Sequence, residues 1–525
     1  MLFGIVLHPA NMAAVAGVLF LSWVLYKFFK PSDLPDLPIV GIRKGEWFAF
    51  RRAAWRNTWN LKAAEHEMYT EYTSKGQAAI IPLLTSSPVI LPLSDTKFIV
   101  EAPDSQVDMH MNLGDLFQVK YTIMDQDITN RPIHIHLIVT TLTKEIGNLV
   151  PDMLDEASRA LERVWGTSHE WREINVYETG RQIIGSVSNR IFFGLPICRD
   201  PTLVETGMAY AQDVPVSSFF LRIAMPAVRP LIAPLITLRA RYHTYKFRNI
   251  VKPTIKRRVQ EFDARQNDPE ANKRLGPAPN DFLEWSIKQA KETGEASLWS
   301  PEKLADRLLV LNFVSIHTTT FALVNAVIDL VCWDTPETIS ELRAEISSVL
   351  AAHSGRWDKR SLAAMHKLDS LLRESMRLHG AAPVALGRRV AARQGIDTPS
   401  GAHLPYLTTL MVPAYSYNRD RTVFGEDADQ FRPFRFAEGR ADKDVQYVDR
   451  ARRAFPTTSP DFLAFGHGRN ACPGRFFASN ELKLVVGYIL MKYDFKIESQ
   501  RPEGTFVGMT RIPPLKKNIW IRRRE

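Results

Sequence analysis

The chain has 525 residues, 45% of them hydrophobic, and a formal charge of +10 from 67 Lys and Arg against 57 Asp and Glu. That apolar share is enough for a substantial core, and three cysteines exclude a disulfide framework and fit a reducing compartment. The positive balance suits an anionic lipid surface or an acidic partner; no long basic run appears beyond the terminal Arg522-Arg523-Arg524, which argues against a nucleic-acid binder.

Met1 to Tyr26 carries no Asp, Glu, Lys or Arg, and Met12 to Tyr26 is continuously apolar. This predicts a single membrane-spanning helix within residues 1–30, because a span needs roughly 20 apolar residues. A cleaved signal would carry its basic residues ahead of the apolar run, whereas Lys27 and Lys30 follow it. Positive residues stay cytoplasmic, so the following domain faces the cytosol, with Trp23 and Tyr26 at the interface. Pro31, Pro35 and Pro38 predict a stiff hinge over residues 31–50, and residues 51–525, without a low-complexity linker, read as one catalytic domain.

Strands are expected at Ala78–Pro82 and Val89–Pro92, an irregular polar loop over the active site between Gln106 and Asp127, and a helix from Ile133 to Met153. Arg131, His134 and His136 near the start of that helix read as surface residues. Pro215 to Tyr245 is apolar and broken by Pro226, Pro230 and Pro234, which predicts a pair of short helices lying on a membrane surface. Ser300-Pro301-Glu302 opens a long helix: Ser caps it, Pro takes the first position, and Glu complements the dipole. It runs to about Trp333, where Asp334-Thr335-Pro336 ends it, and its apolar residues lie nearly all round, so it crosses the interior. Ser315, His317, Thr318 and Thr319 interrupt this surface. In Leu371 to Leu378, Glu374 and Arg377 share a helical face. Pro383 to Val390 reads as a strand.

Phe465-Gly466-His467-Gly468-Arg469-Asn470-Ala471-Cys472-Pro473-Gly474 then runs into a helix that includes Glu481-Leu482-Lys483-Leu484. The helix N-terminus, free backbone N–H groups and a nearby Arg favour the Cys472 thiolate, a ligand for iron. Gly466 and Gly468 let the backbone approach a planar ligand. The same letters fit a dinucleotide fingerprint, Gly466-x-Gly468-x-x-Ala471, with Asp494 downstream. Too little chain remains for the βαβ unit that reading requires. Cys198 and Cys332 read as structural residues.

With Phe seven before, Gly four before and Gly two after the cysteine, this loop resembles that of the cytochrome P-450 superfamily of haem-thiolate monooxygenases. The order of anchor, hinge, central Thr helix, Glu-x-x-Arg, Phe431-Arg432-Pro433-Phe434-Arg435-Phe436 and cysteine loop resembles the fungal membrane-bound branch that includes ent-kaurene oxidase-like enzymes. The resemblance implies a mainly α fold with small β-sheets and haem b bound through Cys472, with Phe465, Gly468, Arg469 and Gly474 forming the loop. It implies that Arg388 or Arg389 meets a propionate, Arg389 by the family's usual Arg-Val pairing, and that Glu374, Arg377 and Arg435 form a buried network under the loop. The family places an acid before its oxygen-protonating Thr; here Thr318 matches the Thr and His317 occupies the acid position. His, which ordinarily titrates near neutrality, keeps a proton-relay role open. The loop around Phe506 to Thr510 resembles the last substrate-contacting turn. The resemblance further implies O2, a hydrophobic polycyclic substrate such as a terpenoid or indole terpenoid, an NADPH-dependent reductase docked near the cysteine loop, and the endoplasmic reticulum membrane. The competing expectation is an isomerase or dehydratase of the same haem-thiolate type, working without external electrons.

Overall fold

In the computed structural model the described residues are 17, 34–333, 336–440, 446–498 and 500–525. The expected span over 1–30, Gly17 apart, lies outside them, as do Pro31 and the Asp334-Thr335 stop. Short helices α1 (Ala49–Trp59) and α2 (Leu61–Glu71) lead into β1 (Ala79–Ile80) and β2 (Val89–Ile90), followed by β3 (Val107–Asp108) and α3 (Met109–Phe117). The core helices are α4 (Thr143–Trp165), α5 (Val176–Phe193) after β4 (Arg172–Asn175), α6 (Pro201–Ile223), α7 (Arg229–Ile236), α8 (Leu238–Asn267), α9 (Phe282–Glu292) and α10 (Pro301–Val331). After them come α11 (Pro336–Ala352), α12 (His366–His379), β5 (Val384–Val390), β6 (Ile396–Asp397), β7 (His403–Leu404), β8 (Thr409–Pro413) and α13 (Arg475–Lys492). β9 (Tyr493–Phe495), β10 (Thr505–Val507), β11 (Thr510–Ile512) and β12 (Asn518–Arg523) close the chain, so the molecule is mainly helical with small sheets.

Sequence periodicity explains the helical core. In α4, Ile146, Leu149, Val150, Met153, Ala157, Ala160 and Leu161 recur every three or four residues and are all buried. Asn175 caps α5 by accepting from Glu178 N at 2.8 Å, and Ser300 caps α10 by accepting from Lys303 N at 3.4 Å. α10 packs against α5, α6, α8, α12 and α13, which makes it the axle of the fold. It is long and apolar enough to cross a bilayer, yet most of its length is buried by its neighbours. Each buried Leu, Val or Ile along it contributes about 1.5–3 kcal/mol relative to exposure.

A second core lies under a five-stranded sheet of order β1-β2-β8-β5-β3, where Ile80, Val89, Val107, Val390, Leu410 and Val412 meet. β2 runs parallel to β8 and the other neighbours are antiparallel. β12 pairs antiparallel with both β4 and β9, and Asp494 on β9 binds Arg343 at 2.9 Å, so the region after the cysteine loop has no parallel nucleotide-binding unit.

Three local expectations change. Residues 106–127 hold β3, α3 and a helical turn Val119–Thr122, because Asp108 caps α3 by accepting from Met111 N at 3.0 Å. Pro215 sits inside the long α6, and Leu238 opens the 30-residue α8, leaving α7 as the single short helix between them. The helix expected over 133–153 is a short turn, a five-residue wide π segment over 138–142, and then α4.

Gly487 in α13 faces an indole: a Cβ there would lie 2.9 Å from Trp357 Cη2. Gly to Ala inside a helix ordinarily stabilises by about 0.5–1 kcal/mol. Gly487→Ala is predicted instead to destabilise by about 1–3 kcal/mol through overpacking, read as a lowered denaturation midpoint; an unchanged or raised midpoint would mean that Trp357 slides aside.

Candidate active site

The chain before α13 folds back on itself. Gly466 (φ 68) and Gly468 (φ 71) are left-handed, Cys472 N donates to Phe465 O at 2.7 Å, and Arg475 Nη1 donates to Cys472 O at 2.9 Å. Gly468 is pressed on the short helix Thr96–Glu101: a Cβ there would fall 2.1 Å from Val100 Cγ1. Gly474, by contrast, faces open space. Burial pushes the Cys472 thiol up from its ordinary value, while the Gly474 N–H, the Arg475 charge and the Arg475 N–H pull it back. Burial wins among the protein's own groups, so a metal cation at sulfur would be needed to complete the anion the sequence favours.

The middle of α10 supplies the opposite wall. From Leu304 to Asn312 and again from Ala322 to Val331 the helix is buried, but Val314 is 48% exposed and Thr318 one turn later is exposed as well. A helix enclosed at both ends that opens in its middle borders an internal void. Thr318 Oγ1 donates to Val314 O at 3.0 Å. Both nitrogens of His317, Ser315 Oγ, Thr320 Oγ1 and the side-chain amide of Asn312 are buried without a protein partner among the described residues. Polar atoms in that state are ordinarily met by water or a ligand. Burial and the nearby Arg181 charge push the His317 imidazole down to about 4, so it is neutral at neutral pH rather than titrating there as its residue type suggests.

A porphyrin fits this architecture: a thiol in a glycine loop, a polar gap in α10, and a buried cation for a carboxylate. The buried guanidinium of β5 is Arg388. Arg388 is 3% exposed, and its hydrogen bond goes to its own neighbour, Gly387 O, at 3.0 Å. Arg389 is held by Asp115 at 3.3 Å and Leu407 O at 3.0 Å, and Arg469 by Asp104 at 2.7 Å and Ala102 O at 2.6 Å. A bulge between Ala385 and Arg388, with Leu386 left-handed (φ 56), sets this choice, and a Cβ on Gly387 would strike Asn112 and Met411 at 2.7 Å. Arg131 pairs with Glu295 at 2.7 Å, whereas His134 is not a surface residue: burial pushes it down to about 4.

The structure brings Glu374, Arg377 and Arg435 together. Arg377 Nε and Nη2 donate to the Glu374 oxygens, both at 2.7 Å, and Oε1 also accepts from Arg435 Nε at 3.1 Å and Arg432 N at 3.0 Å. Neighbouring polar residues of α12, which sequence reasoning missed, continue the scaffold. Asp369 accepts from Phe455 N at 2.8 Å and pairs with Lys483 at 3.1 Å; Arg373 donates to Ala454 O and Thr457 O and stacks 3.8 Å from the Phe462 ring. Their signal was polar residues at 369, 373 and 377, a turn apart on a helix otherwise rich in Leu. Glu481 on α13 was also missed: fully buried, it accepts from Ser188 Oγ at 2.9 Å and is pushed up to about 8 by burial.

The sequence model of the cytochrome P-450 family matches residues 125–518. Similar proteins include cytochrome P-450 monooxygenase gloP of Glarea lozoyensis, 30% identical over 93% of this chain and 90% of its own. Cytochrome P-450 monooxygenase 71 of Postia placenta is 33% identical over 81% of each chain, and monooxygenase pbrC of Penicillium brasilianum is 29% identical over 98% of this chain and 96% of its own.

Glu374→Ala strands the fully buried Arg377 guanidinium and removes one of the two carboxylates on Arg435, and is predicted to cost about 3–5 kcal/mol. The purified variant should lack the visible absorption of haem; a normal haem-to-protein ratio would show that the network is dispensable. His317, depressed in the fold, binds a proton more readily when unfolded, so its contribution to stability is present above about pH 6.5 and lost as pH falls toward 4. Urea titrations from pH 7 to 4 should therefore show a shallower loss of stability in His317→Gln than in the parent chain.

Proposed function

The chain belongs to the cytochrome P-450 family, and from that premise we propose that it inserts one atom of O2 into a hydrophobic, polycyclic natural product such as a terpenoid or indole terpenoid, using electrons passed from NADPH by a separate reductase. The observation that carries this reading is the joint presence of a loop cysteine at the head of α13 and a polar interruption in the otherwise buried α10, exposed at Val314 and Thr318. Cys472 would hold haem, with Arg388 available to a propionate, and the bound group would supply the oxygen activation and C–H oxidation.

The chain's own residues supply protons, shape and exclusion of water. Thr318 holds a transferable proton at Oγ1, and rotation about χ1 carries it from Val314 O toward the void. His317 is neutral, so it passes a proton only as a relay, accepting at one ring nitrogen while releasing at the other. The partnerless Ser315, Asn312 and Thr320 extend that polar file along α10. Above it, Phe313 meets Phe117 edge-on at 5.2 Å, and Val119, Ile123, Ile128 and Val310 make an apolar cluster suited to a carbon-rich substrate.

Attachment to the cytosolic face of the endoplasmic reticulum membrane is supported by the apolar run before Lys27 and by an aromatic surface. Trp47 is 81% exposed, Leu231 81%, and Trp55, Trp59, Phe219 and Phe220 form a chain of rings spaced 5.8–6.2 Å apart, joining α1 to α6. Exposed Arg452 and Arg469 near the cysteine loop offer a basic landing face for the reductase.

The reduced protein treated with carbon monoxide should show the absorption band of thiolate-ligated haem, and Cys472→Ala should lose it; a parent chain without that band would overturn the reading. With reductase and substrate present, Thr318→Ala should keep consuming NADPH while product per NADPH falls at least about tenfold. Turnover without NADPH would instead support the isomerase or dehydratase alternative.

A further inference from the structure

A cavity of about 860 Å3 lies at the C-terminal end of α12, walled by α2, the segment after β8 and the segment before β10, with no lining residue from the cysteine loop or α10. Its floor is cationic. Arg511 is 8% exposed, donates to Leu378 O, and lies 5.5 and 5.4 Å from the Tyr415 and Phe506 rings. Arg419 shares that carbonyl at 2.5 Å and sits 3.9 Å over the Tyr415 ring. Capping the end of α12 accounts for one N–H of each guanidinium.

The surrounding acids do not balance these charges. Asp329 is taken by Arg501 and His379; Asp420 accepts from Tyr69 Oη at 2.5 Å and from Thr422; Glu503 pairs with Lys62 at 2.7 Å. Asp429 reaches only Arg419, at 3.5 Å, and is 63% exposed. Glu65, behind the wall, is pushed up to about 7 by burial and is spent on Ser416. Arg511 has no carboxylate within ion-pair reach among the described residues. Burial and the neighbouring Arg419 lower it to about 10, which leaves it charged at neutral pH. A buried charge without a counterion is costly, and a cavity large enough for a phosphorylated small molecule lies in front of it.

We propose that this cavity is a binding site for a phosphate-class polyanion, held by Arg511 and Arg419 at the floor and by Arg421 at the rim. Guanidinium forks match phosphate oxygens in pairs, and the Tyr415 hydroxyl, which also lines the cavity, adds a polar contact to a phosphate ester. The anion is either a soluble phosphorylated compound or the headgroup of an acidic phospholipid, and the site reads the same chemistry in both.

The test uses the full haem-loaded chain in detergent. Pyrophosphate binding is followed by calorimetry, and in a second arm the chain is reconstituted on neutral phosphatidylcholine vesicles with or without phosphatidic acid and its lipid affinity compared. Pyrophosphate should bind, more weakly as salt rises, and Arg511→Gln should weaken it about tenfold or more. Arg421→Gln, at the rim, should weaken it less and serves if the Arg511 variant fails to hold haem. Dependence on phosphatidic acid alone, lost in the same variants, assigns the headgroup. No binding in either arm, or binding indifferent to both substitutions, overturns the proposal.

Discussion

Glu374 is entirely removed from solvent, and its two oxygens accept four hydrogen bonds, from both sides of Arg377, from Arg435 and from the Arg432 backbone. Taking a carboxylate and a guanidinium out of water costs several kcal/mol each, and only this saturation of partners offsets the loss. The constraint is therefore geometric: the segment from Asn418 to Arg435 must lie where Arg377 and Arg435 can close the cage, with Arg377 also donating to Ala428 O at 2.7 Å. Asp369, Ser370 and Arg373 repeat the arrangement one turn at a time for residues 436–457. α12 is thus a template on which the irregular chain leading to Cys472 is laid down, and the thiol's position is inherited from it.

How much of this the sequence revealed depends on whether the signal was local. The cysteine loop, the α10 start and the Glu-x-x-Arg pair are each contained within a few residues and were legible. Arg388 and Arg389 were not separable, since a strand pattern gives alternation but not the bulge at Leu386 that decides which one turns inward. The extent of α6 was misread because Pro215 lies well inside the helix, where tertiary packing overrides a local breaker. Asp369 and Arg373 escaped because their partners, at 440–457, are distant in sequence and are backbone atoms as often as side chains. The cationic cavity behind α12 is assembled from four separate stretches of chain, a juxtaposition no linear pattern carries.

His317 illustrates how environment outranks residue type. In water an imidazole exchanges charge near neutrality; between α5 and α10, facing Arg181, it is a dipole rather than an ion. Its neighbours Asn312, Ser315 and Thr320 are also polar and without a protein partner among the described residues, so several uncharged polar groups interrupt the apolar interior along α10.

The bulge in β5 has one more effect. Successive strand side chains alternate between faces, so a slip of one residue would exchange Arg388 and Arg389. Because the two are identical, the interior would still receive one guanidinium and the outer face the other. The doubled arginine therefore makes the charge presented on each face of β5 insensitive to the register that the bulge sets.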